Sequence, residues 1–212
     1  MGRFDEERRE MVELLEQRGI RSSAVLKAMG RIERHLFVPE PFTGRSYEDS
    51  ALPIGRGQTI SQPYTVAIMT EALEVRQGAR ILEVGTGSGY QAAILAEMGA
   101  RVYTIERDGE LLVSARKILD RMGYRVAAKV GDGTVGWSEF APYDGIIVTA
   151  GAPQIPEPLE KQLADGGRLV IPVGDLEVQR LAVVARRGST FERHDVDGFK
   201  FVPLIGKMGW SA

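Results

Sequence analysis

Apolar side chains recur at helical spacing near the start of the chain. Met11, Val12, Leu14 and Leu15 predict a helix over residues 5–18, with Gly19 as its stop. A second helix is expected over 22–32, capped by Ser22 or Ser23. Over 37–56 the pattern breaks, and Pro39, Pro41, Gly44, Pro53 and Gly55 read as irregular chain. A helix is expected again over 64–73, with Pro63 where a first-turn proline is tolerated. The chain then alternates. Strands are expected over 81–84, 101–105, 126–130, 143–150 and 168–173, and helices over 90–98, 110–122 and 157–163. Strand and helix in alternation imply right-handed crossovers and a doubly wound, mostly parallel α/β sheet. After Glu177 the pattern changes to strands over 180–185, 190–195 and 199–205, joined at Arg187-Gly188-Ser189 and Asp197-Gly198. They suggest an antiparallel finish to the sheet. No repeat or inter-domain linker interrupts the pattern, so one domain is expected over 1–212.

Composition narrows the function. The chain is 43% hydrophobic and 26% charged, which is ordinary for a globular domain. A net charge of −2 lacks the basic excess of a dedicated nucleic-acid binder, so no nucleic-acid partner is expected. There is no cysteine, hence no disulfide, thiolate metal site or cysteine nucleophile. The two histidines, His35 and His194, are too few for a multi-histidine metal site, and no metal is expected. Residues 1–17 are highly charged, without an apolar signal-peptide core, and no apolar run could span a bilayer. A cytoplasmic protein without membrane association is expected.

Candidate chemistry centres on Ile81-Leu82-Glu83-Val84-Gly85-Thr86-Gly87-Ser88-Gly89-Tyr90. Glycines at a strand-to-helix turn let the backbone approach a ligand, and the helix N-terminus supplies free N–H groups. The next strand ends in Glu106, followed by Arg107; a carboxylate there accepts hydrogen bonds from ribose hydroxyls. The third strand ends in Gly131-Asp132-Gly133, where an acidic side chain can receive an adenine amino group. Each feature alone is a common turn or a solvated charge. At successive strand ends they point to a nucleoside site. The dinucleotide fingerprint would place its third glycine where Tyr90 stands, and no Gly-Lys-Ser/Thr is present for a phosphate-binding loop. The Gly-x-Gly-x-Gly run, two residues after Glu83, resembles instead the first motif of Rossmann-like methyltransferases.

Four further segments resemble one family, the protein-L-isoaspartyl O-methyltransferases. They are Arg34-His35-Leu36-Phe37-Val38-Pro39, Gly57-Gln58-Thr59-Ile60-Ser61-Gln62-Pro63, Pro142-Tyr143-Asp144-Gly145-Ile146-Ile147-Val148, and Gly166-Gly167-Arg168-Leu169-Val170-Ile171-Pro172-Val173-Gly174. The resemblance runs from about residue 20 to about 206. It implies a seven-stranded Rossmann-like sheet with antiparallel C-terminal strands. It also implies an N-terminal helical and irregular cap (1–60), a cofactor-binding core (61–175) and C-terminal strands (176–212). The implied activity is methyl transfer from S-adenosyl-L-methionine to L-isoaspartyl carboxylates of damaged proteins and peptides, by a monomer. Ser61 matches the family's active-site serine, and Gln62, Pro63, Tyr64 and Thr65 the stretch along the methionine end of the cofactor. Glu83, Gly85, Thr86, Gly87 and Gly89 form the cofactor loop. Glu106 and Arg107 lie at the ribose, and Asp132 and Gly133 at the adenine. Residues 202–205 are expected to cradle the peptide. By itself, a Ser-x-Pro at a helix start is ordinarily a cap. Methyl transfer to a small molecule or RNA base, or cofactor binding without catalysis, are the alternatives on the same fold.

Overall fold

Side chains alternate across a strand, so a strand buried on both faces reads as a continuous apolar run. The central strands do so here. The computed structural model describes residues 2–211. Strands β3 (Arg80–Val84), β4 (Arg101–Glu106), β5 (Ala127–Val130), β6 (Tyr143–Val148) and β7 (Leu163–Gly174) run parallel, and β8 (Gln179–Arg187) and β9 (Thr190–Phe199) join antiparallel. The order across the sheet is β5-β4-β3-β6-β7-β8-β9. Ile81, Ile147, Val170 and Leu181 bury on one face, and Leu82, Ile146, Leu169 and Ala182 on the other. Each such Ile or Leu stabilises by roughly 1.5–3 kcal/mol relative to exposure.

Helices α1 (Arg3–Gln17) and α2 (Ser23–Arg31) pack on the helices that lie against the first face, and their Met11, Leu15, Val25 and Met29 join the cluster that holds Ile81 and Ile147. Ser22 caps α2 through a hydrogen bond from the Val25 N–H. Helix α3 (Pro63–Leu73) leads into β3; α4 (Tyr90–Glu97) and α5 (Gly109–Arg121) follow β3 and β4, and the short α6 (Glu157–Lys161) follows β6.

Three expectations need correction. The irregular stretch over 37–56 follows one 3-10 turn, Arg34–Phe37, and contains a second, Glu40–Arg45, and the first strand of a hairpin, β1 (Leu52–Gly55) with β2 (Gln58–Ile60). Its alternation is too short to register as a strand in sequence. Strand β7 begins at Leu163, not at 168, because Tyr143 already pairs with Leu163 before a register shift. The strand expected over 199–205 is not one. β9 runs through 197–198 without turning, and its register against β8 shifts at Gln179. The Gln179 side chain then accepts from the Phe201 N–H, and the chain leaves the sheet. Pro203 has no N–H for a ladder. The segment instead lies along the loop after β6, where Gly151 donates to the Val202 carbonyl and accepts from the Leu204 N–H.

Candidate active site

The chain winds outward from β3 through β4 to β5, then returns to β6 on the other side of β3. That reversal opens a crevice at the carboxyl ends of β3 and β6, the place where such sheets bind ligands. A cleft lies there, with about 900 Å³ of empty space that includes its opening to solvent. Its walls are Ile60 and Ser61, the turn Val84–Gly87, Tyr90, Glu106 and Arg107, Gly133, Thr149 and Ala150, and Val202 to Ile205.

The floor is built by close approach. Gly85 has φ +97°, and a Cβ there would lie 2.4 Å from the Thr149 Oγ1. The Thr149 hydroxyl donates to the Gly85 carbonyl at 2.6 Å, tying the loop to the end of β6. Gly89, at φ +88°, starts α4 against Ala115 and Leu119 of α5. Glu106 is 6% exposed; its Oε2 accepts from the Gly87 N–H at 2.9 Å and its Oε1 from the Asp108 N–H at 3.0 Å. Those contacts fix the carboxylate at the cleft wall. A carboxylate offers about four lone-pair sites, so two remain for ribose hydroxyls. A nucleoside with an amino-acid arm therefore suits the donor set: N–H groups at a glycine turn, a fixed carboxylate, and apolar walls at Val84 and Ile105.

Beneath the loop lies a buried polar chain. Thr104 is hydrogen-bonded to both Glu83 and Thr86, and all three are buried. Burial pushes the Glu83 carboxyl up to about 8; the Thr104 hydroxyl opposes this, and the Glu106 charge adds to it. Its ordinary value is 4.5. The folded protein thus keeps a proton that the unfolded chain releases between these values, and stability falls as pH rises through that window. A Glu83→Gln variant, followed by calorimetry from about pH 5 to about pH 8.5, is expected to gain Tm progressively over the parent. A constant difference would show that Glu83 does not titrate there.

The remaining sequence-derived residues divide. Ser61, Gly85, Thr86, Gly87, Glu106, Arg107 and Gly133 line the cleft. Gln62 and Thr65 line a smaller adjoining cavity instead, with Thr59, Ser61, Thr149, Lys200 and Val202. The two cavities share Thr59, Ser61, Thr149 and Val202. Gln62, not Ser61, occupies the cap position of α3. Among the described residues, nothing hydrogen-bonds the Ser61 hydroxyl. Pro63 is buried in the first turn. Tyr64 turns elsewhere: its ring lies 3.7 Å from the Arg18 guanidinium carbon, and its N–H donates to Asp49. Glu83 and Gly89 support the loop from behind. Asp132 stands outside the cleft lining; its carboxylate accepts from the Thr134 N–H and hydroxyl and from the Lys207 N–H. Burial works to raise Asp132, but these donors outweigh it and hold the carboxyl below its ordinary range. His35 bonds the Tyr47 hydroxyl at 2.8 Å and stacks on Phe4, away from the cleft.

Sequence reasoning missed Thr149, Tyr90 and Lys200 as wall residues. Thr149 carried a signal: a polar residue closing a strongly apolar strand beside the glycine loop.

A match to the protein-L-isoaspartate(D-aspartate) O-methyltransferase family covers residues 6–209. The chain belongs to this family. Relatives named protein-L-isoaspartate O-methyltransferase include one from Dictyoglomus thermophilum, 54% identical over 98% of this chain and 95% of its own. Another, from Chlorobaculum tepidum, is 54% identical over 97% of each. A solved protein-L-isoaspartate O-methyltransferase superposes with TM-score 0.86 at 28% identity, over 95% of this chain and 67% of that one. A Plasmodium falciparum structure, described as a putative member in complex with S-adenosyl-L-homocysteine, has TM-score 0.83 at 25% identity, over 93% and 98%. The sheet order and the glycine loop agree with membership. Among the described residues, no helix is long and apolar enough to cross a membrane.

Proposed function

We propose that this chain transfers the methyl group of S-adenosyl-L-methionine to the free carboxylate of L-isoaspartyl residues in proteins and peptides, with Ser61 orienting the acceptor. One observation carries the assignment of Ser61: it lines both the cleft and the adjoining cavity, and its hydroxyl bonds no described residue. The cleft would hold the cofactor, with Glu106 accepting from the ribose hydroxyls and the turn Gly85–Gly87 and Gly133 lining its remaining walls. The adjoining cavity, walled by Gln62, Thr65 and Lys200, takes the isoaspartyl side chain.

When bound, S-adenosyl-L-methionine supplies an electrophilic methyl group. The acceptor needs no general base, because a carboxyl with an ordinary pKa of about 3.5–4 is ionised at neutral pH. The chain's task is to bring a solvated anion into line. Ser61 donates a hydrogen bond to one carboxylate oxygen, leaving the other free to attack. Val202 to Ile205 close one side, and Ile60 and Val66 exclude water. Positioning of this kind can lower a barrier by as much as ~7–11 kcal/mol. The methyl ester leaves the protein; the backbone nitrogen of the following residue then attacks the ester carbonyl, methanol departs, and water opens the resulting succinimide partly to normal aspartate.

In this reading the protein acts as a cytoplasmic monomer on protein and peptide substrates; a net charge of −2 supports the further expectation of no nucleic-acid partner. The assay offers methyl-labelled cofactor with paired aspartyl and isoaspartyl peptides of one sequence. Base-labile label on the isoaspartyl peptide alone is expected. Equal labelling, or none, would refute the substrate assignment.

A further inference from the structure

Arg34 is charged and 0% exposed. It sits in the 3-10 turn after α2, behind the cleft. Its Nε donates to the Ser46 carbonyl at 2.7 Å and its Nη2 to the Ser61 carbonyl at 2.8 Å. Its guanidinium carbon lies 4.8 Å from the centre of the Tyr90 ring, and Tyr90 forms a wall of the cleft. Phe37 meets the same ring edge-on, with centroids 5.5 Å apart. The Arg34 Nη1 and the Tyr90 hydroxyl are both buried without a partner.

Among the described residues, Arg34 forms no ion pair. Carbonyl dipoles and the face of one ring are its immediate compensation. A guanidinium stays protonated in proteins, and burying one without a counter-charge carries a large desolvation cost. A cross-link between two carbonyls does not require that charge; a neutral amide could supply the donors. The Asp49 carboxylate acts on Arg34 from beyond contact and is itself paired with Arg18, so the guanidinium is only partly compensated beside the residue where an anion must arrive.

We propose that Arg34 is a positioning residue for methyl transfer: it clamps the Ser61 backbone against the Tyr90 wall, so that the Ser61 hydroxyl faces the junction of the two cavities, and its partly compensated charge favours entry of the acceptor carboxylate. The proposal rests on the assignment of Ser61 as the orienting group. Arg34 does not touch the substrate. It acts through the Ser61 carbonyl and through its field, which the buried setting screens weakly.

Two variants separate the parts. Arg34→Lys keeps the charge and loses the planar fork; Arg34→Gln keeps a donor and loses the charge. Both are prepared in the parent and in a Ser61→Ala background. Steady-state kinetics on an isoaspartyl peptide, calorimetric titration with S-adenosyl-L-homocysteine and thermal melts are run on each. In the parent, Arg34→Lys is expected to lower kcat by about 10–100-fold, the scale of one lost charge-assisted hydrogen bond. Arg34→Gln is expected to raise the peptide KM by about 10-fold as well, since the field is lost. S-adenosyl-L-homocysteine affinity should stay within about 3-fold, because the clamp acts on Ser61 and not on the cofactor loop. In the Ser61→Ala background, Arg34→Lys should cost almost nothing further in kcat, since the two groups act as a unit.

Additive losses would overturn the proposal, as would folded variants with parental kcat and KM. Loss of the folded state in both variants would make Arg34 a structural tie and equally overturn it. Parental turnover by Ser61→Ala alone would instead remove the Ser61 assignment, which separates the two failures.

Discussion

Replacing Ser61 with alanine is expected to lower kcat on an isoaspartyl peptide by about 10²–10³-fold, the usual loss for one preorganised donor at a reacting oxygen. The expectation follows from what the hydroxyl does not do. It caps no helix, since Gln62 holds that position without a side-chain bond. It bonds no described residue, so its removal breaks nothing in the fold. Thermal stability should therefore be unchanged, and S-adenosyl-L-homocysteine affinity should move little. A kcat effect without a stability effect is the signature of a group reserved for the acceptor. Steady-state kinetics with labelled cofactor, beside a thermal melt, provide the measurement. A kcat within a factor of about three of the parent would show that the carboxylate is oriented by other groups.

The second large effect is expected at Gly85. Its φ of +97° is rarely adopted by an L side chain, and a Cβ would meet the Thr149 hydroxyl at 2.4 Å. Strained backbone of this kind costs of order 1–3 kcal/mol. Displacing Thr149 also breaks its bonds to the Val84 and Gly85 carbonyls, which costs a further ~0.5–1.5 kcal/mol for a hydrogen bond. Gly85→Ala should thus destabilise by about 2–4 kcal/mol, read as a Tm several degrees lower. It should also weaken S-adenosyl-L-homocysteine, because the same turn forms the cleft floor. Adding Thr149→Ala removes the collision and leaves the strain. The double variant should recover part of the loss relative to the sum of the single ones. Strict additivity would mean that collision with Thr149 contributes nothing.

Much of the cleft lining is legible in the sequence. The glycine run and Glu106 lie at the carboxyl ends of β3 and β4 because apolar runs mark the strands and glycines mark the turn. The segment Gly57–Pro63 carries the family resemblance most specifically, and its serine lines two adjoining cavities. Tyr64 and Asp132 show the limit of such reading. Both lie in stretches that contribute to the site, yet Tyr64 packs under Arg18 and Asp132 binds Thr134 and Lys207. Position along a motif does not say which way a side chain turns.

The succession of most strands and helices along the chain and the location of the glycine turn are properties of the chain read alone. They depend on local spacing: period two or three-point-six, ended by glycine or proline. The role of Arg34, the lock between Thr149 and Gly85, and the departure of residues 200–205 from the sheet are properties of the folded object. Each depends on a partner 22 to 65 residues away. Burial there is settled by which surfaces meet, and no periodicity along the chain encodes that meeting.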